Sequence, residues 1–202
     1  IDYLRRLNSI KENDKQKNLI EIFVNEIYTF NKAHNIVGRQ TKEEIYSLDI
    51  LDCKSVIQHI PPEKNVLDIG SGAGLPGLLI AILQPRSHVT MSEKTEKKAY
   101  FIKKTIHTLK LANVKIINEA ITRETKNKKR FDIVTARALA PAKKIIDISE
   151  QLLAKNGKYI LMKGSKKKIH EEVAQLDNNK YSCNIHKTYI KDKNRHILEI
   201  TK

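Results

Sequence analysis

Two hydrophobic periods alternate along this chain. Over residues 15–34, Leu19, Ile22, Phe23, Ile27 and Phe30 recur at helical spacing, which predicts an amphipathic helix with one buried face. A short helix is predicted before it over residues 2–10, and the polar run Lys11-Glu-Asn-Asp14 separates the two. Thr41-Lys-Glu-Glu44 has the form of a capping box and opens a third helix. Ile45, Leu48, Leu51 and Val56 are its inward positions, and Pro61-Pro62 lies beyond its end. From Asn65 the pattern becomes short apolar runs separated by helical stretches. Strands are predicted at 65–69, 87–93, 114–117, 131–135 and 158–162, with helices at 78–83, 96–109 and 142–153 and a turn at Asn156-Gly157. A basic helix over 166–176 then leads to strands at 181–190 and 196–201, joined by a polar turn at 191–194.

The chemistry centres on Asn65-Val-Leu-Asp-Ile-Gly-Ser-Gly-Ala-Gly-Leu-Pro-Gly77. Val66, Leu67 and Ile69 suit a strand covered on both faces. Gly70, Gly72 and Gly74 let the chain turn sharply and approach a ligand closely, and the helix behind them would offer N–H groups and the positive end of its dipole. A nucleotide-like ligand is implied. Gly72-Ala-Gly74-Leu-Pro-Gly77 also satisfies the GxGxxG dinucleotide pattern, so these glycines alone leave adenosyl and nicotinamide cofactors both open. Glu93 ends the second strand about twenty positions beyond the glycines, where a carboxylate would accept hydrogen bonds from ribose hydroxyls.

Composition narrows the class. The 202 residues, 40% of them hydrophobic, suit one domain with a small appendage. No apolar run approaches a membrane span and no leader pattern opens the chain, so a cytoplasmic protein without membrane attachment is expected. Cys53 and Cys183 form no ligand spacing, and the seven histidines are scattered, so neither a disulfide framework nor a metal site is expected.

Charge adds more. There are 38 Lys and Arg against 23 Asp and Glu, for a net charge of +15. Residues 1–64 hold ten of each sign, so the whole surplus falls in 65–202, and residues 94–130 alone carry twelve basic and three acidic side chains. That is the electrostatic footprint of a partner with a phosphate backbone.

The last two strands must be antiparallel neighbours, since a short turn joins them. A parallel βα sheet closed by such a hairpin is the layout of the adenosylmethionine-dependent methyltransferases, whereas nicotinamide-binding domains keep adding parallel strands. The expected architecture is therefore α/β. Residues 1–64 form a small N-terminal helical extension, and 65–202 a Rossmann-like class I S-adenosylmethionine-dependent methyltransferase sheet with a C-terminal antiparallel hairpin.

Several stretches carry a resemblance. They are Asn31-Lys-Ala-His-Asn35, Ile50-Leu-Asp52, Leu67-Asp-Ile-Gly-Ser-Gly-Ala-Gly-Leu-Pro-Gly77, Lys97-Lys98 with Phe101, His107-Thr-Leu-Lys-Leu111, Phe131-Asp132, Arg137-Ala138 and Leu161-Met-Lys-Gly164. In this ordered set residues 22–164 resemble the RsmG (GidB) family of bacterial 16S ribosomal RNA guanine-N7 methyltransferases. The resemblance implies S-adenosyl-L-methionine as methyl donor, S-adenosyl-L-homocysteine as product and no metal. It also implies 16S ribosomal RNA or the small ribosomal subunit as partner; no obligate protein partner is evident in the sequence, and a monomer is expected. By the same resemblance Gly70 and Leu75 line the methionine and ribose end of the cofactor, Ile121 and Thr122 border its adenine, and Arg137 closes the site. The chain departs from the family at Asn35-Ile-Val37, where Asn-Leu-Thr is usual, and at Asp49 and Cys53, where His and Ser are usual. Two other readings are a nicotinamide-dependent oxidoreductase and a non-catalytic ribosome-associated RNA binder.

Guanine N7 carries a lone pair and no proton at neutral pH, so its methylation needs alignment and desolvation rather than a general base. The chain accordingly lacks an Asp/Asn-Pro-Pro-aromatic tetrad after the fourth strand. Arg137 and Lys163, each expected at the carboxyl end of its strand, are the candidate catalytic residues. A donor on N7 would block the attacking lone pair, so Arg137 would hold O6, a phosphate or the cofactor carboxylate instead.

Overall fold

A computed structural model describes residues 12–126, 130–188 and 194–202. The helix expected over 2–10 lies outside the described residues, as do positions 127–129 of the basic loop and 189–193 around the terminal turn.

Strand β1 (Asn65–Ile69) is the centre of the sheet. Parallel to it run β2 (His88–Ser92) and β4 (Phe131–Arg137) on either side, with β3 (Val114–Ile117) beyond β2 and β5 (Leu153–Lys163) beyond β4. The hairpin strand β7 (His196–Thr201) is antiparallel to β5, and β6 (Ser182–Lys187) is antiparallel to β7. Among the described residues the order is β3-β2-β1-β4-β5-β7-β6. It reverses at β1, so a crevice opens at the carboxyl ends of β1 and β4.

Alternation along each strand feeds two cores. Val66, Val89, Met91, Ile133 and Ile160 face one layer, with helices α1 (Asp14–His34), α2 (Lys42–Ile45), α3 (Leu51–Ile57), α4 (Gly77–Leu83) and α5 (Glu96–Leu109). Leu67, Ile69, Val134, Leu161 and Leu198 face the other, with α6 (Ala142–Ser149) and α7 (Lys166–Val173). Because both faces are covered, β1 needs apolar side chains on each, and its sequence supplies them.

Local chemistry sets several boundaries away from where periodicity placed them. Helix α1 is capped at Asn13, whose Oδ1 accepts from Gln16 N at 2.9 Å while Gln16 Oε1 accepts from Asn13 N at 3.1 Å. Its fully buried stripe is Ile20, Phe23, Val24, Ile27 and Asn31, with Leu19, Ile22 and Phe30 only partly covered. The stripe is rotated because α5 lies along the flank of α1, with Phe30 and Phe101 in ring contact at 5.0 Å. The third predicted helix is interrupted by a π-helical turn at Tyr46–Ile50. The extra residue in that turn rotates everything after it, so Leu48 and Leu51 are half-buried while Asp49, Ile50, Asp52 and Cys53 point inward. β5 begins at Leu153 rather than 158. Phe131 pairs with Leu153 and Ile133 with Lys158, so the Asn156-Gly157 turn is a bulge within the strand. The helix before it ends at Ser149 and continues as a 3-10 turn, Glu150–Leu152.

Candidate functional site

A cavity of about 660 Å³ occupies the crevice at the carboxyl ends of β1 and β4, a volume suited to a nucleotide-sized ligand. Six of the sequence-predicted residues line it: Gly70, Gly72, Leu75, Glu93, Ile121 and Arg137. Gly74, Thr122 and Lys163 do not.

The floor is the loop that leaves β1. Gly70 N and Ser71 N donate to Ser92 O at 2.8 and 3.1 Å, which ties the loop to the end of β2. Gly72 N donates to Glu93 Oε2 at 2.9 Å, and Glu93 Oε1 accepts from Thr95 N at 2.7 Å. Glu93 is thus fixed in rotamer and almost fully buried, yet each oxygen keeps capacity for a further donor, as a ribose diol would require. Gly72 has φ of +59°, and a Cβ there would find nothing nearer than Gly70 O at 4.0 Å. That open space belongs to the cavity. Gly74, with φ of +81°, differs: a Cβ would fall 2.5 Å from Leu78 Cδ1, so this glycine lets α4 pack closely.

The N–H groups expected to face a ligand from α4 are already engaged. Gly77 N donates to Asp68 Oδ2 at 3.0 Å and Leu78 N to Gly74 O at 2.8 Å. The first two N–H groups of α4 are thus taken, and the backbone that lines the cavity is Gly70 to Ala73 instead.

Asp68, fully buried on β1, is invisible to sequence pattern, since a lone Asp in a strand carries no spacing signal. Burial pushes its carboxyl up from 3.8 to about 6, against the hydrogen bonds from Ser71 and Gly77. An acid whose pKa is raised by folding stabilises the native state below its unfolded value, and this contribution is lost as pH rises through the folded value. Two pKa units correspond to about 3 kcal/mol. Asp68→Asn stays neutral and keeps an oxygen for Gly77 N. Urea unfolding should therefore show the variant gaining about 3 kcal/mol on the wild type between about pH 4 and pH 7. Parallel pH profiles would contradict the assignment.

The opposite wall is built around Arg137, at the end of β4. Its Nη1 donates to Asp49 Oδ1 at 3.0 Å, and Cys53 Sγ lies 3.8 Å away. Asp49, 1% exposed, also pairs with Arg39, whose Nε is 2.9 Å from Oδ2 and whose Nη2 donates to Oδ1 at 3.1 Å. Burial opposes the Arg137 charge, and acidic neighbours including Asp49 and Asp52 outweigh burial, so its pKa is raised further. Burial pushes the Cys53 thiol up as well, which makes it a poor nucleophile. Asp49 stands inward only because of the π turn, so sequence spacing could not assign it to the site.

A second rim comes from the segment after α1. Asn31 Nδ2 donates to Arg39 O and Asn31 Oδ1 accepts from Val37 N, both at 2.9 Å, which holds Ile36 and Val37 against the cavity. Lys163 works from outside. Its Nζ donates to Ala140 O at 2.7 Å and pairs with Glu172 at 2.7 Å, while Glu172 Oε2 accepts from Ala142 N at 2.8 Å. It is buried and fixes the loop after β4, over which Leu139 closes on Gly70. Thr122 is exposed and its N–H donates to Thr125 Oγ1.

Lys94, Lys98 and Lys144 surround the mouth. Tyr159 is buried, and Lys32 and Lys42 lie over the ring of Tyr28. Tyr100 is 62% exposed on the lysine-rich α5. Among the described residues, no helix is long and apolar enough to cross a membrane.

Comparison with known proteins bears on the fold and the family. A SAM dependent methyltransferase from Aquifex aeolicus shares the fold with a TM-score of 0.61 at 11% identity, over 78% of this chain and 92% of its own. A Streptococcus mutans protein solved in complex with SAH gives 0.55 at 14% identity, over 76% and 96%. The ribosomal RNA small subunit methyltransferase G of Brachyspira hyodysenteriae is 35% identical over 205 residues, covering 100% of this chain and 97% of its own. The family model for rRNA small subunit methyltransferase G, GidB, matches residues 16–200, and the chain belongs to that family.

Proposed function

We propose that this protein transfers a methyl group from S-adenosyl-L-methionine to N7 of a guanine in 16S ribosomal RNA. The observation that carries the proposal is the facing pair of walls: the Gly70–Ala73 backbone and Glu93 on one side, the Arg137–Asp49 pair on the other. Membership of a family named for rRNA methylation supports the substrate class.

When bound, the donor supplies an electrophilic methyl carbon on a sulfonium; the N7 lone pair forms the new bond as the old one breaks, its electrons remain on sulfur, and no proton leaves. The residues of this chain then have positioning tasks. Glu93 holds the ribose, with its own carboxylate oriented by Gly72 N and Thr95 N. Ile121 borders the adenine, Gly70 and Leu75 the methionine end, and the backbone at Gly72 lets the ligand approach without a side chain between. Gly74 shapes the turn, and Thr122 contributes at most its backbone, which accepts from Gln151.

Arg137 donates to guanine O6, a phosphate or the cofactor carboxylate, never to N7. Asp49 fixes the direction of that guanidinium. Lys163 acts on the loop carrying Ala138 to Ala140 rather than on the substrate. Lys94, Lys98 and Lys144, with exposed Tyr100 beyond them, offer charge and a stacking face to RNA.

Calorimetric titration of the protein with S-adenosyl-L-homocysteine and, separately, NADH tests the cofactor. One equivalent of the first should bind and the second should not. Binding of NADH alone would favour a nicotinamide enzyme, and binding of neither would leave an RNA binder as the better account.

A further inference from the structure

Away from the cavity, the fold gathers two histidines and a glutamate from segments that are distant in sequence. His59 follows α3, His186 stands on β6 and Glu199 on β7. The hairpin register pairs Asn184 with Glu199 and His186 with Ile197, so Glu199 and His186 are diagonal neighbours on one face of the sheet. His59 reaches the same face from the helical layer, its ring centroid 4.4 Å from that of His186. His186 Nε2 lies 3.4 Å and His59 Nδ1 3.8 Å from Glu199 Oε2. One ligand atom from each residue falls within 4.8 Å of the other two.

These separations approach those of ligands around a metal. With bonds of about 2.0–2.1 Å, the donors of a tetrahedral zinc site stand roughly 3.4 Å apart. The two nitrogen–oxygen distances are at or close to that edge, and small side-chain rotations would bring the nitrogens into place.

Two further features favour an ion over a simple charge pair. His186 Nε2 is shielded from solvent and makes no hydrogen bond although Glu199 Oε2 lies 3.4 Å away, so a buried ring nitrogen beside the carboxylate lacks a well-directed partner. Glu199 Oε1 accepts from Lys158 Nζ at 3.0 Å, which orients the carboxylate and leaves Oε2 for the centre, as an outer partner of a metal-bound carboxylate does.

We propose that His59, His186 and Glu199 bind a divalent transition-metal ion of the zinc type, with water as the fourth ligand. Two imidazoles and one carboxylate suit zinc better than calcium or magnesium, which prefer all-oxygen sites. None of the three residues lines the cavity, so the ion is a clip between the segment after α3 and the terminal hairpin. The sequence gives no sign of a metal site because the ligands share no spacing: they meet only once the hairpin closes against the helical layer.

The test uses the full chain, stripped with a chelator and titrated with zinc by calorimetry and with cobalt by visible absorption. One equivalent should bind, cobalt should give the intense bands of a four-coordinate site, and zinc should raise the melting temperature. His59→Gln and His186→Gln should each weaken zinc binding at least about tenfold and abolish the thermal shift. His88→Gln, at an exposed histidine, should change neither. Equal zinc binding by the wild type and the His59→Gln/His186→Gln double variant would overturn the proposal. So would a wild-type cobalt spectrum indistinguishable from hydrated cobalt, a result that does not depend on any variant folding.

Discussion

Arg137→Ala is expected to lower methyl transfer by about 10²–10³-fold, the loss typical of removing one preorganised donor from a water-poor site. The guanidinium is held by Asp49 at 3.0 Å, at the end of a buried strand, so it is in position before substrate arrives. Truncation should not unfold the protein, because Asp49 keeps Arg39 as its ionic partner. The buried carboxylate is therefore not left uncompensated, which is the situation that makes broken buried pairs costly. Single-turnover methylation measures the loss, and S-adenosyl-L-homocysteine affinity divides its cause. An unchanged Kd places Arg137 on the nucleotide, whereas a weakened one places it on the cofactor carboxylate. Wild-type turnover would remove Arg137 from the mechanism.

Gly72→Val should abolish cofactor binding with a comparatively small effect on the fold. The position has positive φ, which costs a β-branched residue roughly 1–3 kcal/mol. A Cβ there meets nothing nearer than Gly70 O at 4.0 Å, and Gly72 lines the cavity where the backbone must approach the ligand. Affinity for S-adenosyl-L-homocysteine should fall at least about 100-fold, equivalent to roughly 3 kcal/mol. Gly74→Val provides the contrast, since its side chain would collide with buried Leu78. That variant should lose stability first and binding only in consequence. Calorimetry with thermal unfolding separates the two, and undiminished binding by Gly72→Val would show that the ligand lies elsewhere.

What could be read from sequence was whatever is local along the chain. The β1 strand, its glycine loop and Glu93 fall within thirty residues, where spacing alone specifies geometry. The terminal hairpin was legible for the same reason: a short turn leaves its strands no other arrangement. The Asp49–Arg137 pair was not, because a π turn moves Asp49 to the buried side of its helix, and 88 residues separate the partners. Lys163 stands at the end of β5, as the pattern predicts, but its burial against Ala140 and Glu172 depends on how the next helix packs. The engaged Gly77 N–H at the start of α4 is equally hidden, since Asp68 reaches it only after β1 and α4 dock.

The proposed activity has the cavity present a methyl donor to guanine N7. Its most direct test is to incubate the protein with small ribosomal subunits lacking base methylation and methyl-labelled S-adenosyl-L-methionine, then digest the RNA and identify the labelled nucleoside by mass spectrometry. The expected result is 7-methylguanosine at one site per subunit, dependent on Gly72 and Arg137. Label on any other nucleoside, or none under conditions where the protein binds S-adenosyl-L-homocysteine, would contradict it.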